Sequence, residues 1–389
     1  MEMKYFDWTA TTRPSERVIE AVTENLAHEW GNPSSVHGMG NVAKKRIDEA
    51  RRSVLRGLGF GREAPGRLIF TSGGTEANNL ALLGAAYAKE RRGRILITEG
   101  EHASVEMCAR QLEADGFEVV RITTRGGELD LDAIREIKNV AVASFMTVNN
   151  ETGAVYDIAG AAKAVRENSP DAFIHTDAVQ AFMKLRFTPE RLGVNAVSVS
   201  AHKLGGLKGT GALYVDRDSL KRKRLTPRIL GGGQEDSLRS GTENVCGIVA
   251  FGEAVREAME SFAARSDKTA MLRALLEERL AGTPLRINQP KAALPGIVSV
   301  TVPGIKSETV LNFANERGFC ISAGSACSSH GHGMSQALVG FGISEADADS
   351  TVRISLSHLN TEDEVAELAA TLTDSLTLAG STRRQTSVE

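Results

Sequence analysis

The chain has 389 residues, 41% of them hydrophobic and 24% charged, with a formal net charge of −3. That length allows a large core and predicts two domains, while so slight an acidity gives no electrostatic case for nucleic acid or an anionic membrane. The start, "MEMKYFDWTATT", has no apolar signal region and no window is an uninterrupted membrane span, so a cytoplasmic location is expected.

From about Arg67 to Asp216 short apolar runs alternate with helical stretches. Strands are predicted at 67–71, 94–98, 118–122, 140–146, 172–176, 196–200 and 211–215. Helical patterns such as "TEANNLALLGAAYAKE" and "IAGAAKAVREN" fill most of the gaps. This alternation predicts an α/β domain whose large, mostly parallel sheet is covered by helices on both faces. In such sheets, ligands bind outside the carboxyl ends of the strands.

The residues just past those ends carry chemistry. Strand 67–71 runs into "SGGTEANN", where the free N–H groups of a helix start, with Thr75 Oγ1, would hold a phosphate. Strand 94–98 leads to "EGEHAS", with His102 at a helix start, and strand 140–146 leads to Asn149 and Asn150. Asp177 and then Gln180 follow strand 172–176, and Lys203 with His202 follows strand 196–200. Taken singly, each has a plain structural reading as a cap, a turn or a surface charge. Together they suit an aromatic cofactor with a phosphate, a ring nitrogen and an aldehyde. Lys203 supplies an amine for a Schiff base, Asp177 a carboxylate to keep a pyridinium protonated, and His102 a flat stacking face. "SGGT" and Ser200 supply phosphate donors. That inventory is the one pyridoxal 5'-phosphate requires. No G-x-G-x-x-G follows an early strand, which disfavours a nicotinamide dehydrogenase. The basic run "KRKR" at 221–224 reads as a solvated loop.

Beyond about residue 258 the pattern becomes that of a smaller α+β domain. Its last helix opens with a capping box, Thr361 with Glu364, and carries Val365, Leu368, Leu372 and Leu376 on one face. The expected division is 16–258 for the large domain and 1–15 with 259–389 for the small one. The four cysteines are too few and scattered for a disulfide framework. Cys108 and Cys320 read as buried. Cys327 differs: "ISAGSACSSHGHG" surrounds it with residues too small to pack a core, on a segment with easily reached backbone states. Cys327, His330 and His332 lie close together, but no second cluster completes a four-coordinate site, so no metal is expected.

"TSGGTEANN", "EHASVE", "VNNETGAV", "HTDAVQA", "SVSAHKLGGLKGTGALYV", "RSGTEN" and "SAGSACSS" occur in the order and spacing of the cysteine desulfurases. These are pyridoxal-phosphate enzymes of the class V aminotransferase group. "YFDWTATT", "GNPSSVHGMG" and "VRISLSH" are also similar to that family, so the resemblance spans nearly the whole chain. It implies a fold-type I transferase that converts L-cysteine to L-alanine and an enzyme-bound persulfide. It further implies a homodimer with active sites at its interface and a sulfur-acceptor protein, in iron–sulfur cluster or thiolation pathways.

Residue by residue, Lys203 resembles the Schiff-base lysine that also moves the Cα proton, and Ser200, Gly74 and Thr75 resemble phosphate ligands beside His202. His102 resembles the stacking histidine, Asp177 the pyridinium partner, and Gln180 a donor to the phenolic oxygen. Asn150 resembles the amide near the ring and substrate carboxylate, and Arg353 the arginine that forks that carboxylate. Thr242 corresponds to a residue reaching the phosphate of the other subunit's cofactor. Cys327 resembles the nucleophile whose thiolate takes the substrate's sulfur, with His330, His332 or His102 as candidate activators. The insert after "GSAC" resembles the extended cysteine-loop type, a loop expected to swing. Ser357, His358 and Trp8 depart from the family pattern, Trp8 near the expected pocket entrance. A selenocysteine lyase, another class V enzyme in which Cys327 is not the nucleophile, and a non-catalytic sulfur carrier or scaffold are the competing readings.

Overall fold

The computed structural model describes residues 3–61, 63–88, 93–324 and 335–378. After a short strand β1 (Lys4–Tyr5) come the seven strands of the large sheet. They are β2 (Gly66–Thr71), β3 (Arg94–Thr98), β4 (Val119–Ile122), β5 (Val140–Met146), β6 (Phe173–Asp177), β7 (Ala196–Ser200) and β8 (Gly211–Asp216). Their spatial order is β2-β8-β7-β6-β5-β3-β4. Only β8 runs against its neighbours in this sheet. Every residue of β5 is buried, as a strand covered on both faces requires. Alternate residues feed two separate cores: Leu96, Ala143 and Phe145 enter one, and Ile95, Ile97 and Val142 the other.

Four helices in chain order are α1 (Glu16–His28), α2 (Gly38–Gly57), α3 (Gly74–Ala88) and α4 (Ala103–Ala114). α3 buries most of its length against one face of the sheet, with Ala77, Leu80, Ala81 and Leu82 in that core. α2 packs with the helix Val245–Glu260 on the other side. A Cβ at Gly252 would lie 2.7 Å from Ala50 Cα, so glycine sets how closely those two helices approach.

Strand β6 reaches one residue further than the sequence pattern suggested and takes in Asp177, which pairs in register with Met146 and Ser198. Asp177 is therefore held by the sheet. On the same strand His175 is fully buried between Ser144 Oγ and Ser198 Oγ, each 2.8 Å from a ring nitrogen. Burial pushes its pKa down to about 3. His202 and His358 are lowered to about 4, again chiefly by burial. An unfolded histidine takes up its proton near pH 6.5, so below that value the unfolded chain binds more protons and stability falls with pH. The urea midpoint is expected to drop between about pH 6.5 and 4.5, with His175→Gln removing up to about 1.4 kcal/mol per pH unit from the slope. Equal slopes in both proteins would exclude His175 as a contributor.

The remaining strands are β9 (Arg286–Ile287), β10 (Ile297–Thr301), β11 (Phe319–Cys320) and β12 (Thr351–Ser355). β12-β10-β9 form an antiparallel sheet, and β1 pairs in parallel with β11. Phe6 packs in the same core as Leu272, Val300, Val352 and Leu368. The capping box is present: Thr361 Oγ1 accepts from Glu364 N at 3.2 Å, and Glu364 Oε2 accepts from Thr361 N at 3.0 Å.

Two expectations need correcting. The basic run is not wholly solvated: Arg222 and Arg224 both pair with Asp171 Oδ1, at 2.9 and 2.8 Å, and Arg224 is nearly buried. Cys320 is only partly buried, because its two-residue strand β11 pairs with an equally short β1. Among the described residues, no helix is long and apolar enough to cross a membrane.

Candidate active site

Ten of the twelve site residues anticipated above line one cavity of about 300 Å³ at the carboxyl ends of the large sheet. They are Gly74, Thr75, His102, Asn150, Asp177, Gln180, Ser200, His202, Lys203 and Arg353. The other two are Thr242, on an exposed loop that does not line the cavity, and Cys327, which lies outside the described residues with His330 and His332.

At one end, β2 runs through Ser72 and Gly73 into α3. Ala77 N already bonds Gly73 O at 3.1 Å, so the amides before it open the helix without intrahelical acceptors. A Cβ at Gly74 would lie 2.8 Å from Val179 Cγ2, and one at Gly211 would lie 2.6 Å from Gly73 C. Glycine at both positions lets the helix start and β8 close on the end of β7. With Thr75 and Ser200 beside those amides, this end suits a phosphate.

At the other end sits Asp177. Its Oδ2 accepts from Asn78 Nδ2 at 2.7 Å and its Oδ1 from Val179 N at 2.9 Å. Asn78 Nδ2 also donates to Ser104 Oγ at 2.8 Å. Ser104 N donates to His102 Nδ1 at 3.1 Å, and Ser104 Oγ lies 2.8 Å from the same nitrogen. Nδ1 is therefore an acceptor, and the neutral ring carries its proton on Nε2. Burial, with Lys203 nearby, holds the His102 pKa below its usual value against the opposing pull of Asp177.

Lys203 stands in the turn Ala201–Lys203 that ends β7. Its Nζ donates to the carbonyls of Thr9 and Ala10 at 2.8 and 2.9 Å. Gln180 Nε2 donates to the same Thr9 carbonyl at 3.1 Å. Arg353, on β12, donates from Nη2 to Asp7 Oδ1 at 2.7 Å and from Nη1 to Asn150 O at 3.0 Å. Arg353 Nε and Asn78 Oδ1 are buried without a protein partner among the described residues. Both residues line the cavity, and buried polar atoms left over in this way point to a ligand. An anion cradle, a fixed carboxylate and an amine on one wall fit pyridoxal 5'-phosphate.

The segment carrying Cys327 departs at Gly324 and rejoins at Ser335. A Cβ at Gly324 would lie 2.9 Å from Glu151 Oε2, and Ser335 Oγ donates to that same oxygen. Both flanking residues thus lie close to Glu151, the chain neighbour of Asn150. Trp8 is anchored away from the main cavity by Asn360 Oδ1, 2.9 Å from its Nε1, and by an edge contact with Tyr5. Together with Ser357 and His358 it lines a second cavity of about 110 Å³ on the far side of Lys203.

The sequence reading passed over Asn78, Ser104, Asp7 and Thr9. Asn78 was detectable, since it lies four residues after Gly74 on one helix face. Asp7 and Thr9 gave no local signal, because their partners lie between 171 and 346 positions away.

Residues 4–368 match the family model for aminotransferase class-V. A Bacillus subtilis (strain 168) protein named putative cysteine desulfurase IscS 1 is 35% identical over 382 residues, 96% of this chain and 98% of its own. A solved NifS-like protein from Rickettsia africae ESF-5 gives a TM-score of 0.85 at 30% identity, over 96% of this chain and 99% of the other. A structure of SspA in complex with cysteine gives 0.80 at 33% identity, over 92% of this chain and 100% of that one. The chain belongs to the class V aminotransferases and, within them, to the cysteine desulfurases.

Proposed function

We propose that the chain converts L-cysteine to L-alanine and leaves the sulfur as a persulfide on Cys327. The observation that carries this reading is Lys203 and Asp177 facing one cavity that Arg353 reaches from the smaller sheet. Pyridoxal 5'-phosphate, bound through Lys203, would supply an electron sink for the pair left at the substrate Cα. The start of α3, Thr75, Ser200 and His202 would hold its phosphate, and Asp177 would keep its ring nitrogen protonated. His102 would supply the stacking face and Gln180 a donor to the phenolic oxygen.

Arg353 and Asn150 orient the substrate carboxylate, and Lys203 Nζ takes the Cα proton and returns it. The Cys327 thiolate attacks the substrate sulfur, so one S–S bond forms as one C–S bond breaks. The pair released to carbon is quenched by protons, giving alanine. No outside oxidant is needed, and the persulfide passes to an acceptor protein of scaffold or carrier type.

This reading includes a cytoplasmic homodimer in which Thr242 reaches the other subunit's cofactor phosphate. Its exposed position outside the cavity of its own chain supports that role. It also includes the division into 16–258 and 1–15 with 259–389, supported by Phe6 packing in the core around the smaller antiparallel sheet.

Incubation of the purified holoenzyme with L-cysteine tests the proposal. Alanine is expected in stoichiometric amount without a thiol reductant and catalytically with one. Absence of alanine in both would overturn it. Arg353→Lys is expected to raise KM for L-cysteine about 10- to 100-fold with a smaller effect on kcat. Lysine cannot span Asp7 and the Asn150 carbonyl and still offer a forked third N–H. An unchanged KM would remove Arg353 from substrate binding.

A further inference from the structure

Four residues beyond Gln180 stands a second lysine that the reaction above does not use. Lys184 Nζ donates to Gln180 Oε1 at 3.1 Å. Gln180 Nε2 donates to Thr9 O at 3.1 Å, and that carbonyl also accepts from Lys203 Nζ at 2.8 Å. One glutamine and one carbonyl thus link the two ammonium groups. Lys184 lines the cavity of about 110 Å³ that meets the reaction cavity at Thr9 and Lys203.

The backbone is unusual here. Met183 holds φ at +59°, a left-handed conformation that costs a side-chain-bearing residue about 1–2 kcal/mol. Such strain persists where the surroundings over-determine it and collects at functional sites.

The charges around Lys184 are mostly positive. Lys203 and Arg353 lie on the side of the reaction cavity and Arg265 on the wall of the smaller one, while His202 and His358, with pKa values lowered to about 4, add no charge near neutral pH. The nearby carboxylates are already engaged, Asp7 with Arg353 and Glu257 with Arg265. Burial first, then the charges of Lys203 and Arg353, lowers the Lys184 pKa to about 7.

We propose that Lys184 is a positioning residue: it occupies Gln180 Oε1, which sets the Gln180 amide nitrogen on the side of Thr9 and the cavity, one N–H donating to Thr9 O and the other facing the ligand space, and its charge opposes protonation of the Lys203 nitrogen. The first part follows from the amide itself. With Oε1 held by a donor, a flip would set N–H against N–H. The second follows from Coulomb repulsion between like charges in a half-buried pocket. The inference rests on reading Lys203 as the cofactor lysine.

The test is a visible-absorbance pH titration of the chromophore in the holoenzyme, a readout separate from turnover. Lys184→Met is expected to raise the apparent pKa of the chromophore by about one unit. Lys184→Arg, which keeps the charge, should stay at or below the wild-type value. If the methionine variant does not fold, Lys184→Gln supplies the same neutral comparison.

An unshifted pKa in the neutral variant, at normal cofactor content, overturns the inference while leaving the proposed function intact. Equal upward shifts in the neutral and arginine variants would trace the effect to packing and overturn it too. A wild-type protein that forms no chromophore sinks the functional reading first, and this inference with it.

Discussion

Lys203→Ala is expected to abolish the visible chromophore and to lower alanine formation from cysteine by about ten-thousand-fold. On the proposed reading, two roles vanish with one side chain, the covalent anchor of the cofactor and the base at the substrate Cα. The protein should still fold. The Thr9 carbonyl keeps its bond from Gln180 at 3.1 Å, and the turn Ala201–Lys203 is fixed by backbone bonds such as Leu204 N to Ala201 O. A primary amine added to the solution should restore part of the activity, because the vacated volume adjoins a cavity. Retention of the chromophore in this variant would refute the assignment of the lysine.

Cys327→Ala is expected to keep that chromophore and lose sulfur transfer, with alanine formation down by about a thousandfold or more. No other thiol can substitute. Burial pushes the pKa of Cys108 up to about 11, and Cys246 and Cys320 are also raised, first by burial. Thiols with raised pKa values supply little thiolate at neutral pH, including Cys246 and Cys320, which are only partly buried. The two variants thus separate the halves of the reaction: one loses the colour, the other only the sulfur. Undiminished alanine from Cys327→Ala would instead favour an enzyme in which this cysteine is not the nucleophile.

Much of the large sheet could be read from the chain because its strands are short apolar runs with polar chemistry at one end. Locating those ends located Asp177, Gln180 and Lys203, and the parallel-sheet rule placed them around one cavity. The antiparallel direction of β8 left no trace in its composition, since a strand buried on both faces has the same pattern in either direction. Asp7 and Thr9 went unread for another reason. Their roles come from contacts made only in three dimensions, such as that between Asp7 and Arg353, 346 positions apart. Thr242 was named by resemblance alone, for it lies outside the cavity that gathers the other described site residues.

The described residues on either side of the stretch that bears Cys327 come close to one carboxylate oxygen: Ser335 Oγ donates to Glu151 Oε2, and a Cβ at Gly324 would meet that same atom. On the reading that Cys327 carries the persulfide, chain connectivity alone limits how far sulfur can go: three residues past Gly324, a fully drawn-out chain reaches at most about 11 Å. An acceptor would then have to bring its own receiving atom close to that radius.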